Sequence, residues 1–314
     1  MKFYDKDKVE NWDHAIEEAA QVIREGGLVA FPTETVYGLG ADAQNAQAVQ
    51  KIYAAKGRPA DNPLIVHIAD KEDLTHIAKD IADWVFFLTE KYWPGPLSVV
   101  LNRQDNFGSA VSAGLSTVAV RMPDNQTALA LIKKSGKYIA APSANLSGRP
   151  SPTKAKHVVA DMGQRIDVIL AQDNVRVGIE STVIDARGSY PIILRTGGIT
   201  QEMLINDVGK ATLAAQTVEV PLAPGMKYGH YQPRAKVMIV AGAFDKKIEK
   251  IKRFLKKEPM TGQPTMATGQ IPSFRKPMSC EKGCKVILCE EVEKKEIGTA
   301  LANRMEKAAV KCYL

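Results

Sequence analysis

Leu28-Val29-Ala30-Phe31-Pro32-Thr33-Glu34-Thr35-Val36-Tyr37-Gly38-Leu39-Gly40 decides how the chain is read. Its first four residues form a short apolar run, which fits a buried strand, and Pro32 stops that run. The polar segment that follows combines two threonines and a tyrosine with glycines, so hydroxyl groups stand where a ligand can approach the backbone. Loops at strand ends are where α/β proteins place their sites. Just upstream, Ala15, Ile16, Ala19, Ala20 and Ile23 recur at helical spacing between a capping Asn11 and a terminating Gly26-Gly27. Helix, strand, polar loop is thus the opening unit.

Similar apolar runs recur at 64–68, 97–101, 117–121, 138–141, 168–171, 182–185 and 192–195, with helical patterns at about 45–56, 71–91, 124–135 and 153–161 between them. The alternation predicts a mixed α/β (α+β) domain with helices covering a twisted sheet. The last two runs are joined only by Ala186–Pro191, which reads as a hairpin, so the sheet should be mixed. After Val220, a stretch with Pro221, Pro224, Gly225, Tyr228, Gly229, Tyr231 and Pro233 has neither period and reads as a linker or lid. Beyond it, strands at 237–241 and 286–289 and helices at 245–257 and 296–310 predict a smaller α/β unit. The expected boundaries are 1–216, 217–235 and 236–314.

The 314 residues, 45% hydrophobic and 25% charged, exclude global disorder and fit about two domains. No apolar run approaches the ~18 residues of a membrane span and the first residues form no apolar leader, so the expectation is a cytoplasmic protein with no membrane partner. The four cysteines, Cys280, Cys284, Cys289 and Cys312, all lie near the end, which excludes a chain-wide disulfide framework; their spacing is not a usual zinc pattern. The net charge of +7 is uneven: from Gln232 onward there are 18 Lys/Arg against 9 Asp/Glu, and before it 24 against 26. A basic C-terminal unit is open to contact with RNA or to being a solvated face.

Further polar segments adjoin other runs. Lys56 and Arg58, held by Gly57 and Pro59 and followed by Asn62, combine a point charge with a planar fork, which suits polyphosphate. They equally suit a helix C-terminus. No GxxxxGK[ST] or GxGxxG is present, so a nucleotide would be held another way. Ser143, Asn145, Ser147 and the Glu180-Ser181-Thr182 segment are rich in short hydroxyl and amide groups. No Gly-x-Ser-x-Gly accompanies them. His67 lies in an apolar strand, where a satisfied core histidine is the usual case. Arg121 ends the apolar run Val118-Ala119-Val120 and needs a carboxylate or phosphate partner, structural or ligand-borne. Trp93-Pro94-Gly95-Pro96 reads as a structural turn.

Taken together, Pro32–Leu39, Lys56-x-Arg58-Pro59 with Asn62-Pro63-Leu64, Trp93–Leu97, Val118–Arg121, Ala141–Asn145 with Ser147-Gly148, Glu180–Val183 and Ile193–Arg195 resemble the YrdC-type family of L-threonylcarbamoyladenylate synthases in its longer, two-domain form. The resemblance implies a YrdC-like catalytic domain and a smaller Rossmann-like C-terminal domain. It implies condensation of L-threonine, bicarbonate and ATP to threonylcarbamoyl-AMP and pyrophosphate, for threonylcarbamoyladenosine formation in tRNA. By the same resemblance Thr35, His67, Arg121, Ala141 and Ser181 contact threonine, and Arg58, Asn62, Thr117, Ser143, Asn145, Ser151, Arg195 and Tyr231 contact ATP. Lys56 and Arg58 are the catalytic cations, Mg²⁺ arrives with ATP, and tRNA threonylcarbamoyl transferase proteins take the product. Two departures stand out: Thr196 replaces the proline of Leu-Arg-Pro-Gly, and Gly229 replaces a common arginine. The rivals are a non-catalytic tRNA or structured-RNA module and a carbamoyl-phosphate-dependent transferase, the latter without sequence support for its extra segments.

Overall fold

A computed structural model describes residues 1–173, 175–214, 236–240 and 286–313. The chain divides into two compact units, Met1–Ser147 with Ser151–Tyr228, and Gly148–Pro150 with Gly229–Leu314.

The first unit runs β1 (Lys2–Asp5), α1 (Trp12–Arg24), β2 (Val29–Phe31), β3 (Gly38–Asp42), α2 (Ala46–Lys56), β4 (Ile65–His67), α3 (Leu74–Ile77), β5 (Ala78–Lys79), α4 (Asp83–Tyr92), β6 (Leu97–Arg103) and β7 (Thr117–Arg121). It continues with α5 (Gln126–Ser135), β8 (Ile139–Ala140), α6 (Ala155–Met162), β9 (Val168–Ala171), β10 (Thr182–Asp185), β11 (Ile192–Arg195), α7 (Gln201–Val208) and β12 (Thr212–Leu213). Among the described residues its strands form one mixed sheet in the order β1-β9-β2-β3-β8-β4-β7-β6-β10-β11-β12, with β5 on β6. As expected, β10 and β11 make an antiparallel hairpin.

Local chemistry fixes the ends of the helices. Asn11 caps α1 by accepting the His14 N–H at 2.9 Å, and Asn45 caps α2 by accepting from Gln47 and Ala48. Gly57, at φ +59°, takes the left-handed conformation that ends α2. Along α1 the buried positions are those of its apolar stripe, which packs with α5 against one face of the sheet around Val29, Phe31 and Ile139. Ile23, fully buried there, would cost about 2–5 kcal/mol if cut to alanine. The opposite face, with Val66, Val99, Val118 and Val120, packs against α2, α4 and α6.

Three expectations need correction. Gly38–Asp42 is a buried strand rather than a loop; a Cβ on Gly40 would stand 2.7 Å from the Phe31 ring and from Ile139, so this glycine makes room for packing rather than for a ligand. The 71–91 helix is broken into a 3₁₀ turn, α3, β5 and α4, with Asp80 at φ +57° between β5 and α4. The last helix ends earlier than expected.

In the second unit, β13 (Lys236–Val240) pairs in parallel with β14 (Val286–Glu290) and with β15 (Ala309–Tyr313), which α8 (Ile297–Ala308) precedes. The expected linker 217–235 with Tyr231, the basic helix 245–257, Cys280 and Cys284 lie outside the described residues. Among the described residues no helix is long and apolar enough to cross a membrane.

Candidate active site

The pairing register places the polar strand residues. His67 lies opposite Arg121 across β4 and β7, and also opposite Ile139 on β8. Val100 on β6 lies opposite Ala119, and Ser98 opposite Val183. Because side chains alternate with a period of two, His67, Thr117, Arg121, Ser98, Ser181 and Ala141 belong to one face of the sheet. A cross-strand row on a sheet face thus stands beside the strand-end loops in the candidate site. The apolar residues that share this row, Ile65, Val100, Ala119 and Val183, make a small cluster of their own.

Arg121 is buried at the centre of the row. Its Nε donates to the Gly95 carbonyl at 3.3 Å, its Nη2 donates to Thr35 Oγ1 at 2.9 Å, and the same Nη2 lies 2.7 Å from Glu34 Oε1. The partner that an arginine in an apolar strand requires is thus a protein carboxylate. Thr33 shapes the loop that brings Glu34 and Thr35 there: its hydroxyl accepts the Thr35 and Val36 N–H groups and donates to the Val36 carbonyl at 2.5 Å. The Trp93–Leu97 turn, read as structural, also contributes the Gly95 carbonyl.

His67 is buried and its pKa is pushed down to about 3, first by desolvation and second by Arg121. It is a neutral imidazole, with Nδ1 3.2 Å from the Ile65 carbonyl. Ser181 shares a 2.8 Å hydrogen bond with Ser98 and receives Arg195 Nη2 at 3.0 Å.

Beside this row, Lys56 Nζ donates to the Ser143 carbonyl and, at 2.6 Å, to the Asn145 carbonyl. Burial first, then Arg58, push its pKa well below the ordinary lysine value, with Asp161 opposing. Ser147 N–H returns a bond to the Lys56 carbonyl at 2.9 Å, so α2 and the 143–147 loop are tied together. Arg58 Nη2 donates to the Pro63 carbonyl at 3.1 Å, and the buried Asn62 Oδ1 has no hydrogen-bond partner among the described residues. Ser151 donates to Glu180 Oε1 at 2.5 Å.

The geometry gathers the expected residues into two bonded groups on this face, Thr35 with Arg121 and Glu34, and Ser181 with Arg195 and Ser98, and ties Lys56 to the Ser143–Asn145 loop. Tyr231 lies outside the described residues. Ser98 and Glu34 carried no assigned role in the sequence reading. A hydroxyl inside the apolar run Leu97–Leu101 was the available signal for Ser98, and the need of Arg121 for an anion was the signal for Glu34.

The family pattern described as "Telomere recombination", which groups Sua5, YciO and YrdC proteins, matches residues 21–197. The chain belongs to the Sua5/YrdC family. A second pattern, "Threonylcarbamoyl-AMP synthase, C-terminal domain", matches residues 199–272. The Sua5/YrdC relative from Pyrococcus abyssi named threonylcarbamoyl-AMP synthase is 42% identical over 97% of this chain and 96% of its own. One of the same name from Bacillus subtilis is 48% identical over 76% and 70%. The solved structure of P. abyssi Sua5 complexed with L-threonine is 41% identical, covers 98% of this chain and 97% of its own, and superposes with a TM-score of 0.89.

Proposed function

We propose that the chain is a threonylcarbamoyl-AMP synthase, which condenses L-threonine, bicarbonate and ATP into threonylcarbamoyl-AMP and pyrophosphate for N6-threonylcarbamoyladenosine formation in tRNA. The observation that carries this reading is the end-to-end similarity to a relative of that name, joined to a buried polar row that holds a cation, hydroxyls and a neutral imidazole together. We assign 1–216 as the catalytic unit and 236–314 as the C-terminal domain, in a cytoplasmic protein; the segment 217–235 between them lies outside the described residues.

A carbamate formed from the threonine amine and bicarbonate is short-lived, so the enzyme's main task is to hold it against the α-phosphorus in a water-poor site. Thr35, His67, Arg121, Ala141 and Ser181 hold threonine, with the Arg121 guanidinium on its carboxylate. His67, being neutral, contributes a hydrogen bond rather than a charge. Arg58, Asn62, Thr117, Ser143, Asn145, Ser151 and Arg195 hold ATP; the further ATP contact that the family resemblance implies, Tyr231, lies outside the described residues. Arg58 offsets charge on the phosphates and on leaving pyrophosphate. Lys56, whose Nζ donates to the Ser143 and Asn145 carbonyls, fixes the loop that carries them. No protein nucleophile is needed.

Magnesium belongs to this reading as a companion of the ATP phosphates. Among the described residues no group of three or more His, Cys, Asp or Glu could hold a metal ion, so the ion would be carried on the phosphates, and no step here runs through one. The product passes to tRNA threonylcarbamoyl transferase proteins. Incubation with ¹³C-bicarbonate, L-threonine and ATP tests the reading: mass spectrometry should find the label in an AMP adduct of threonine, and a product pool without labelled adduct would contradict it.

A further inference from the structure

Glu34 is an unusual companion for an arginine meant to take a carboxylate. Its side chain and that of Arg121 are 2% and 5% exposed, and Oε1 lies 2.7 Å from Arg121 Nη2. Neither Glu34 oxygen has an aligned hydrogen bond from a described residue, so the pair is a charge contact that leaves the carboxylate's lone pairs unused. Buried carboxylates normally accept several hydrogen bonds, because desolvation without them is costly. Arg121 itself is not fully used: Nε and Nη2 have partners, and Nη1 has none among the described residues.

A pocket for a simple anion would be weakened by a buried carboxylate beside its one cation. The pair instead matches a zwitterion, whose carboxylate needs an N–H donor and whose ammonium needs an acceptor. We propose that Glu34 receives the α-amine of the amino acid substrate and accepts the proton that this amine must lose before it reacts. The proposal rests on the synthase reading and extends it to a residue without an assigned role.

The step balances. One N–H bond of the ammonium breaks, its electron pair stays on nitrogen, and the proton passes to a Glu34 oxygen. The nitrogen lone pair then forms the N–C bond to the bicarbonate carbon; the bicarbonate hydroxyl leaves with an amine proton as water, giving the carbamate. Glu34 returns its proton to solvent when product leaves. Glu34 in this role touches the reacting amine, while Thr35 and Gly95 steady the arginine beside it.

Calorimetric titration of the full chain with L-threonine and with 2,3-dihydroxybutyrate of matching configuration, in which a hydroxyl replaces the amine, tests this directly. Wild type should prefer threonine by at least about tenfold, as sites with a buried polar partner for one substrate group do. Glu34→Gln should lose most of that preference by weakening threonine alone, and Glu34→Asp should restore part of it. Equal weakening of both ligands in Glu34→Gln would show that Glu34 only holds Arg121, and would overturn the proposal; so would an unchanged preference. Should Glu34→Gln not fold, the wild-type comparison still decides, since threonine binding without preference over the hydroxy acid sinks the amine role alone. Binding of neither ligand sinks the synthase reading as well.

Discussion

Arg195 holds Ser181 at both its backbone and its side chain: Nε donates to the Ser181 carbonyl and Nη2 to the Ser181 hydroxyl, each at 3.0 Å. The planar fork of arginine suits this double contact, and a lysine ammonium on a flexible stem does not. Arg195→Lys should therefore lower threonine-dependent pyrophosphate release by roughly 10- to 100-fold, the range expected for losing a charge-assisted hydrogen bond. Steady-state kinetics with threonine and ATP varied in turn check it, and a change under about threefold would show that the fork does not matter.

Ser98 supports the same hydroxyl from β6, and both serines are fully buried. Ser98→Ala removes one hydrogen bond and leaves Ser181 with Arg195, so the expected cost is about 1 kcal/mol in urea unfolding. Because the two hydroxyls share one bond, the double change with Ser181→Ala should cost less than the sum of the single ones.

Gly197 explains what survives of the altered Leu194-Arg195-Thr196-Gly197 segment. A Cβ there would lie 2.3 Å from Thr182 N, 2.4 Å from the Ser181 carbonyl carbon and 2.5 Å from Glu180 O. All three are backbone atoms, which cannot swing aside. Gly197→Ala should destabilise the protein by about 1–3 kcal/mol and weaken threonine binding, because relief of the clash moves Ser181. Thermal unfolding and calorimetry report both effects.

His67 gives a pH signature. Its pKa falls from the usual 6.5 to about 3 in the folded protein, so between these values the unfolded chain binds a proton that the folded chain does not. Stability should fall as pH drops through that window, by up to about 1.4 kcal/mol per pH unit from this group alone. His67→Gln, uncharged at every pH, should flatten that part of the acid limb in urea titrations between pH 7 and 4. An unchanged slope would mean that His67 titrates normally.

Much of the first unit was legible because its buried strands are short apolar runs set between amphipathic helices. The strand Gly38–Asp42 was not, since two glycines and an aspartate imitate a loop until Phe31 is seen packed across them. Nor was the break at Asp80, where the helical pattern of 71–91 continues in sequence but the backbone turns left-handed. In the site, Arg121, His67 and Ser181 were visible as polar residues in or beside apolar runs. Their common face depends on the register between β4, β7, β6 and β10, which no single segment carries. Glu34 lacked a role for the same reason: its cation comes from a distant strand.

The most direct test of the synthase reading is pyrophosphate release from Mg-ATP by wild type and by Arg58→Ala, with L-threonine and bicarbonate each left out in turn. The reading requires release that needs both substrates and is lost, by at least about a hundredfold, when Arg58 is removed. Release that continues without threonine, or that Arg58→Ala leaves unchanged, would contradict it.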